Sequence, residues 1–257
     1  MKYFSAGMLI ALLLLAVSCT PIPISEEAEP SPAPPAQPSA AQLLQQAQSA
    51  STTPERMALL NQAIAQNPEF VQALILRGQI AIESGDFKHA VQDFDLALAI
   101  HPESLEARVE RARAYRELLF WSKAIADYCK AIELDPQIGL FIERADCYMA
   151  HKEYRKAIAD FDKAIAQETG NAELYQNRGV CHQKLNQLNE AVADYRKAAE
   201  LEPENPSLHY NIGSIYWEMG QWKRVLDAWE KCLAINPDYG NIKMYMPVLK
   251  KRVRKSR

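Results

Sequence analysis

Between residues 90 and 237 one pattern of apolar and polar positions returns five times. It reads AVQDFDLALAIHP at 90–102, AIADYCKAIELDP at 124–136, AIADFDKAIAQET at 157–169, AVADYRKAAELEP at 191–203 and VLDAWEKCLAINP at 225–237. Successive starts lie 34, 33, 34 and 34 residues apart, a fixed period that marks a chain built by stacking one supersecondary unit. Inside the phrase Ala124, Ile125, Tyr128, Ala131 and Ile132 recur at spacings of three and four, which is a single stripe along a helix. Proline closes four of the five phrases, because its ring pushes the preceding residue out of helical geometry.

A second helical pattern precedes each phrase. Gly78, Ala112, Ala145, Gly179 and Gly213 stand twelve residues before Ala90, Ala124, Ala157, Ala191 and Val225, so two helices approach closely where neither carries bulk. Aromatic residues then fill the remaining space: Phe94, Tyr128, Phe161, Tyr195 and Trp229 within the second helix, and Phe87, Trp121, Tyr154 and Trp222 near its start, with Leu188 in the fourth unit. The pattern predicts antiparallel helix pairs.

The period, the small residues, the aromatics and the closing proline together resemble the tetratricopeptide repeat. The resemblance implies an all-α, right-handed solenoid of stacked antiparallel helix pairs. Five full repeats are read at 71–104, 105–137, 138–171, 172–205 and 206–239. The third ends in Thr169-Gly170 rather than Pro, and the last carries Val225 and Cys232 where alanines are typical. A degenerate unit is placed at 39–70, with AAQLLQQAQ (40–48) as its first helix and MALLNQAIAQNP (57–68) as the end of its second. The chain closes with a cap and basic tail at 240–257, and Pro247 is expected to kink or split the capping helix.

Charge is correlated between repeats. Arg77, Arg111, Arg144 and Arg178 stand 16 residues before Asp93, Asp127, Asp160 and Asp194, whereas the fifth repeat has Ile212 and Ala228 at the two places and the degenerate unit has Leu43 and Leu59. Charge occurs at both places or at neither. An ion pair clamping the two helices of each repeat is the expectation, in preference to an anion-binding ladder.

The N-terminus is of another kind. After Lys2 no charge occurs up to Ser18, and Ala6–Val17 is almost wholly aliphatic, the build of a secretory signal segment rather than a membrane span. Leu15-Ala16-Val17-Ser18-Cys19 resembles the lipobox of bacterial lipoproteins, which implies cleavage after residue 18 and a lipid on Cys19. Residues 20–38 hold seven of the chain's 15 prolines and almost no large apolar side chain. Such a segment serves as an extended tether reaching about 60 Å at ~3.1 Å per residue. Thr20 rather than Asp follows the cysteine, which in a Gram-negative cell implies the outer membrane, facing the periplasm.

Catalytic constellations are not found. His89, His101, His151, His182 and His209 fall at different places in their repeats, and no phosphate-binding glycine loop, nucleophile elbow or zincin motif occurs. Cys129, Cys147, Cys181 and Cys232 sit on helical stripes where small residues recur and read as packed free thiols; Cys147 and Cys181 hold equivalent places without a pairing being predicted. Neither cofactor nor metal is expected. The chain carries a net charge of −3, yet KKRVRKSR at its end holds six Lys or Arg in eight residues. That tail reads either as a solvated end or as a contact for anionic lipid or an acidic partner. Nothing basic elsewhere suggests nucleic acid.

What is left is a binding surface. In the family that the repeats resemble the first helices line the concave side, which here carries Arg113 and Arg116, then Asp146, then Gln176, Asn177, Gln183 and Lys184, then Tyr210, Asn211 and Trp217. The face is mixed in charge and amide-rich toward the C-terminal end, and Trp217 is expected to be exposed as an anchor. It suits an extended peptide or a partner helix. Asn177 and Asn211 match the middle position of a clamp for C-terminal carboxylates, but the flanking basic residues of that clamp are missing. The expectation is a lipid-anchored, non-enzymatic adaptor of the bacterial envelope with protein partners and no small-molecule substrate. An assembly chaperone or pilotin for an outer-membrane complex is the alternative.

Overall fold

Thirteen helices and no strand make up the described residues 37–255 of the computed structural model. The signal segment, Cys19 and the tether up to residue 36 lie outside the described residues, as do Ser256 and Arg257. All helices belong to one unit beginning at Pro38.

The helices come in pairs. α1 (Ala40–Ser49) and α2 (Thr53–Gln66) form the first, followed by α3 (Val71–Glu83) with α4 (Phe87–Ile100) and α5 (Leu105–Glu117) with α6 (Trp121–Leu134). The remaining pairs are α7 (Ile138–Ala150) with α8 (Tyr154–Gln167), α9 (Ala172–Lys184) with α10 (Leu188–Leu201) and α11 (Pro206–Glu218) with α12 (Trp222–Ile235). α13 (Ile242–Lys255) closes the array, and Pro247 lies inside it without dividing it. Contacts run between neighbours in this order, the pattern of a solenoid.

The small residue of each first helix is what lets the pair close. Phe94, Tyr128, Phe161, Tyr195 and Trp229 are all buried, with Gly78, Ala112, Ala145, Gly179 and Gly213 buried across from them. At Gly213 the fit is tightest: a Cβ there would lie 2.2 Å from Cδ1 of Trp229. The turn inside each pair repeats as well. Gly85, Leu119, Lys152, Asn186 and Gly220 stand at the same place in successive repeats, all with φ between 58° and 77°. The next residue donates its N–H back across the turn, as Asp86 does to the carbonyl of Ala81 at 2.8 Å. Such a helix end demands the left-handed conformation, and only the first and last repeats supply glycine for it.

The charge correlation is a set of real clamps. Arg77, Arg111, Arg144 and Arg178 each donate Nε and Nη2 to the two carboxylate oxygens of Asp93, Asp127, Asp160 and Asp194, at 2.6–2.9 Å. These aspartates are buried. The third nitrogen, Nη1, reaches the second helix of the preceding pair: Asn61, Asp95, the Cys129 thiol and Asp162 respectively. Each arginine thus ties three helices. The same 16-residue step that links Arg111 to Asp127 leads backward from it to Asp95, a signal present in the sequence and missed by pairing within repeats alone.

Candidate protein-binding surface

First helices of neighbouring pairs meet along one side of the solenoid, where Gln79 of α3 donates to Glu106 of α5 at 3.1 Å and Gln183 of α9 to Glu218 of α11 at 2.8 Å. Between α5 and α7 the link is stronger. Arg113 donates Nε and Nη2 to Glu143 at 3.0 and 2.7 Å and Nη1 to Glu110 at 3.0 Å, while Arg116 lies 3.7 Å from the same Glu143 carboxylate. Glu143 also accepts from the buried hydroxyl of Tyr128 at 2.6 Å. Burial opposes its charge, but the bonds from Arg113 and Tyr128 prevail and hold its carboxyl below the usual range. Arg113 and Arg116, read from the sequence as a mixed-charge face, are therefore already committed to Glu143, a residue that the sequence reading did not single out.

Further along the same side the links lapse. Counting along the repeats, the places of Arg113 and Glu143 are taken by Asp146 and Asn177, and then by Val180 and Asn211. The side chains of Asp146, Gln176, Asn177 and Asn211 make no hydrogen bond or ion pair among the described residues. Burial, with Glu173 and Glu143 adding to it against Arg116, raises the Asp146 carboxyl to about 6. Gln176, Asn177 and Asn211 are half-buried, and Lys184 is exposed. The amide-rich stretch expected on α9 and α11 thus presents donors and acceptors with no internal partner, apart from Gln183, which Glu218 engages.

The aromatic end differs from expectation. Trp217 is half-buried rather than exposed: its ring stacks on Trp229 at 5.5 Å between centroids and meets Trp222 and Tyr245 edge-on at 5.3 and 5.9 Å. Arg252 of α13 lies over both Trp217 and Trp222. The cause is α13, which adds a first-helix layer beyond the fifth repeat and covers the indole. Tyr210 keeps 37% of its surface exposed while stacking on Trp229 at 6.2 Å, and with Tyr245 of α13, 49% exposed, it is an accessible ring of this end.

Among the described residues Cys129, Cys147, Cys181 and Cys232 are free thiols. Burial pushes Cys147 and Cys181 up to about 12, far from the thiolate that redox chemistry or metal binding would require. Among the described residues no group of three or more His, Cys, Asp or Glu could hold a metal ion, and no helix is long and apolar enough to cross a membrane.

Models of the tetratricopeptide repeat match residues 57–105 and 206–239, and a TPR-repeat model matches 182–220. Protein PHOX3 of Arabidopsis thaliana is 34% identical over 67 residues, which is 26% of this chain and 8% of that protein. Among solved structures, YrrB, described as a TPR protein with an unusual peptide-binding site, aligns at TM-score 0.62 and 19% identity, over 76% of this chain and 97% of its own. A tetratricopeptide repeat protein of Parabacteroides merdae aligns at TM-score 0.63 and 17% identity, over 82% and 88%. The chain carries tetratricopeptide repeats, and its fold is the solenoid of stacked helix pairs seen in those structures.

Proposed function

We propose that this protein is a non-enzymatic scaffold, held to a bacterial envelope membrane by lipid on Cys19, that binds an extended or helical segment of a partner protein along α7, α9 and α11. The observation that carries this reading is the run of half-buried side chains without internal partners, Asp146, Gln176, Asn177 and Asn211. Half-buried polar groups that nothing inside satisfies favour a ligand whose backbone satisfies them. The described array presents binding groups and no catalytic set, and tetratricopeptide repeats generally serve as interaction surfaces. The anchor rests on Leu15–Cys19 and on the proline-rich tether that follows; an outer-membrane position follows from Thr20 if the cell is Gram-negative.

Two measurements test it. A photo-crosslinking residue at Asn177 or Asn211 should trap a partner in intact cells, whereas one at the exposed Lys163 or Lys223 on the second helices should not; equal trapping from both sides would remove the site. Cys19→Ala should release the protein from membranes, and retention of a processed Cys19→Ala protein there would end the lipoprotein reading.

A further inference from the structure

The arginine clamps stand at a particular place, bounded by the second helix of one pair and both helices of the next. In the last pair the clamp is missing. Ile212 stands where Arg77, Arg111, Arg144 and Arg178 stand, Ala228 replaces the clamping aspartate, and Arg196 occupies the place from which Asp95 and Asp162 accept the third nitrogen. Ile212 is buried, and a groove of about 320 Å³ lies between α10, α11 and α12. The equivalent groove between α2, α3 and α4 measures about 420 Å³ with the Arg77–Asp93 clamp in place, so the last groove differs in its lining rather than in being open. Its floor is apolar, made by Ile212, Tyr216, Ala228 and Ala199.

The rim has the opposite polarity to the clamps. Arg196, Arg224 and Lys231 stand around the opening, and Arg196 and Arg224 lie 5.9 and 5.4 Å from the Tyr216 ring centre. Arg196 and Lys231 have no ion-pair partner among the described residues, and Arg224 bonds only Gln221, at 2.8 Å. Of the two acids on the rim, Glu200 is paired with Lys197 at 3.1 Å, and Asp227 alone faces the three cations. Desolvation, reinforced by Lys231, lowers the affinity of His209 for a proton, so this fourth rim group adds polarity without charge at neutral pH.

We propose that this groove is a second protein-binding site, on the side opposite the open amides, which takes an acidic residue of a partner together with an adjoining apolar side chain. A carboxylate entering the groove would restore the negative charge lost with the clamping aspartate and meet the forked donors of Arg196 and Arg224. The neighbouring apolar group would lie on the floor beside half-buried Ala199, against the remaining edges of Ile212 and Ala228. A cation is disfavoured there by three like charges. The inference rests on the array being a protein-binding scaffold, but it engages different residues from the site on α7, α9 and α11.

Every described core cluster lies within Pro38–Lys255, so residues 38–257 are the protein to test. The probe is a fluorescein-labelled peptide of alternating leucine and glutamate, compared by anisotropy with the same peptide carrying glutamine for glutamate. The glutamate peptide should bind, and the glutamine peptide at least tenfold more weakly. Arg196→Asp, a change at an exposed side chain, should weaken binding at least tenfold. So should the graft Ile212→Arg with Ala228→Asp and Arg196→Asp, which installs the clamp of the earlier repeats and reverses the charge of the rim; unchanged helical circular dichroism confirms that it is folded. Asn177→Ala with Asn211→Ala should leave this binding unchanged. No binding of the glutamate peptide, equal binding of the two peptides, or full binding by folded Arg196→Asp protein would overturn the groove site. Loss in the Asn177/Asn211 variant alone would also overturn it, while leaving the amide-lined site standing.

Discussion

The guanidinium of Arg144 and the carboxylate of Asp160 lie edge to edge, Nε to Oδ2 and Nη2 to Oδ1 both at 2.7 Å, with side chains only 12% and 4% exposed. A paired charge this enclosed contributes little relative to a well-packed apolar pair, but removing one partner strands the other. Asp160→Ala should therefore destabilise the protein by about 2–3 kcal/mol, beyond the ~0–1 kcal/mol of an exposed pair. Arg144→Ile combined with Asp160→Ala, which copies Ile212 and Ala228, should recover most of that loss. Urea denaturation of the four proteins gives the coupling, and a value near zero rejects the clamp as a stabilising unit.

The glycine opposite Trp229 is a steric requirement. A Cβ at Gly213 would lie 2.2 and 2.3 Å from Cδ1 and Nε1 of that ring, whereas at Gly179 its nearest neighbour is Asp194 Cβ at 3.3 Å. Alanine gains about 1 kcal/mol of helix propensity at either place. Gly213→Ala should nonetheless lower stability by about 1–3 kcal/mol through overpacking, while Gly179→Ala should stay within ~1 kcal/mol of wild type. Parallel thermal melts decide it, and equal melting temperatures would contradict the close approach.

Leu119 holds a left-handed turn position, φ 60°, that Gly85 and Gly220 hold in the first and last full repeats. Left-handed geometry costs an L-residue about 1–2 kcal/mol, partly offset by the greater chain entropy that glycine loses on folding. The Leu119 side chain is largely exposed, so little packing would go with it. Leu119→Gly should raise stability by about 0.5–1 kcal/mol in urea denaturation. A loss of stability would mean that the contact between Leu119 and its neighbours outweighs the backbone strain.

Asp146 should make stability depend on pH in the direction opposite to a paired carboxylate. Its carboxyl titrates at about 6 in the folded chain, raised first by burial and then by Glu173 and Glu143, against an ordinary value near 4 when unfolded. Between those values the folded state holds more protons, so this group's contribution falls as pH rises from about 4 to 6 and stays unfavourable above. Asp146→Asn should stabilise the protein at pH 7 by roughly 1 kcal/mol, the full shift being discounted for solvent screening, and by nothing at pH 4. A gain of equal size at both pH values would assign the effect to something other than ionisation.

Whatever repeats inside one unit was legible along the chain. The helix stripes of Ala124, Tyr128 and Ala131, the small residue facing an aromatic, and the step of 16 from Arg144 to Asp160 all depend on positions within about 34 residues, where helix geometry sets which side chains share a face. The tertiary structure decided which of those side chains remained available. Arg113 and Trp217 belong to the right helices for binding, yet Glu143 of the next pair takes up the one and the rings around α13 cover the other. Asn177 and Asn211 carry the same kind of polar group as Gln183, but only Gln183 finds an acceptor in the following layer. The groove above Ile212 likewise takes its basic rim from Arg196 of α10 and from Arg224 and Lys231 of α12, side chains of different pairs that only stacking brings together. Periodicity is a property of a single helix, whereas availability is what remains after each layer has satisfied its neighbours, and that balance is struck only when the layers stack.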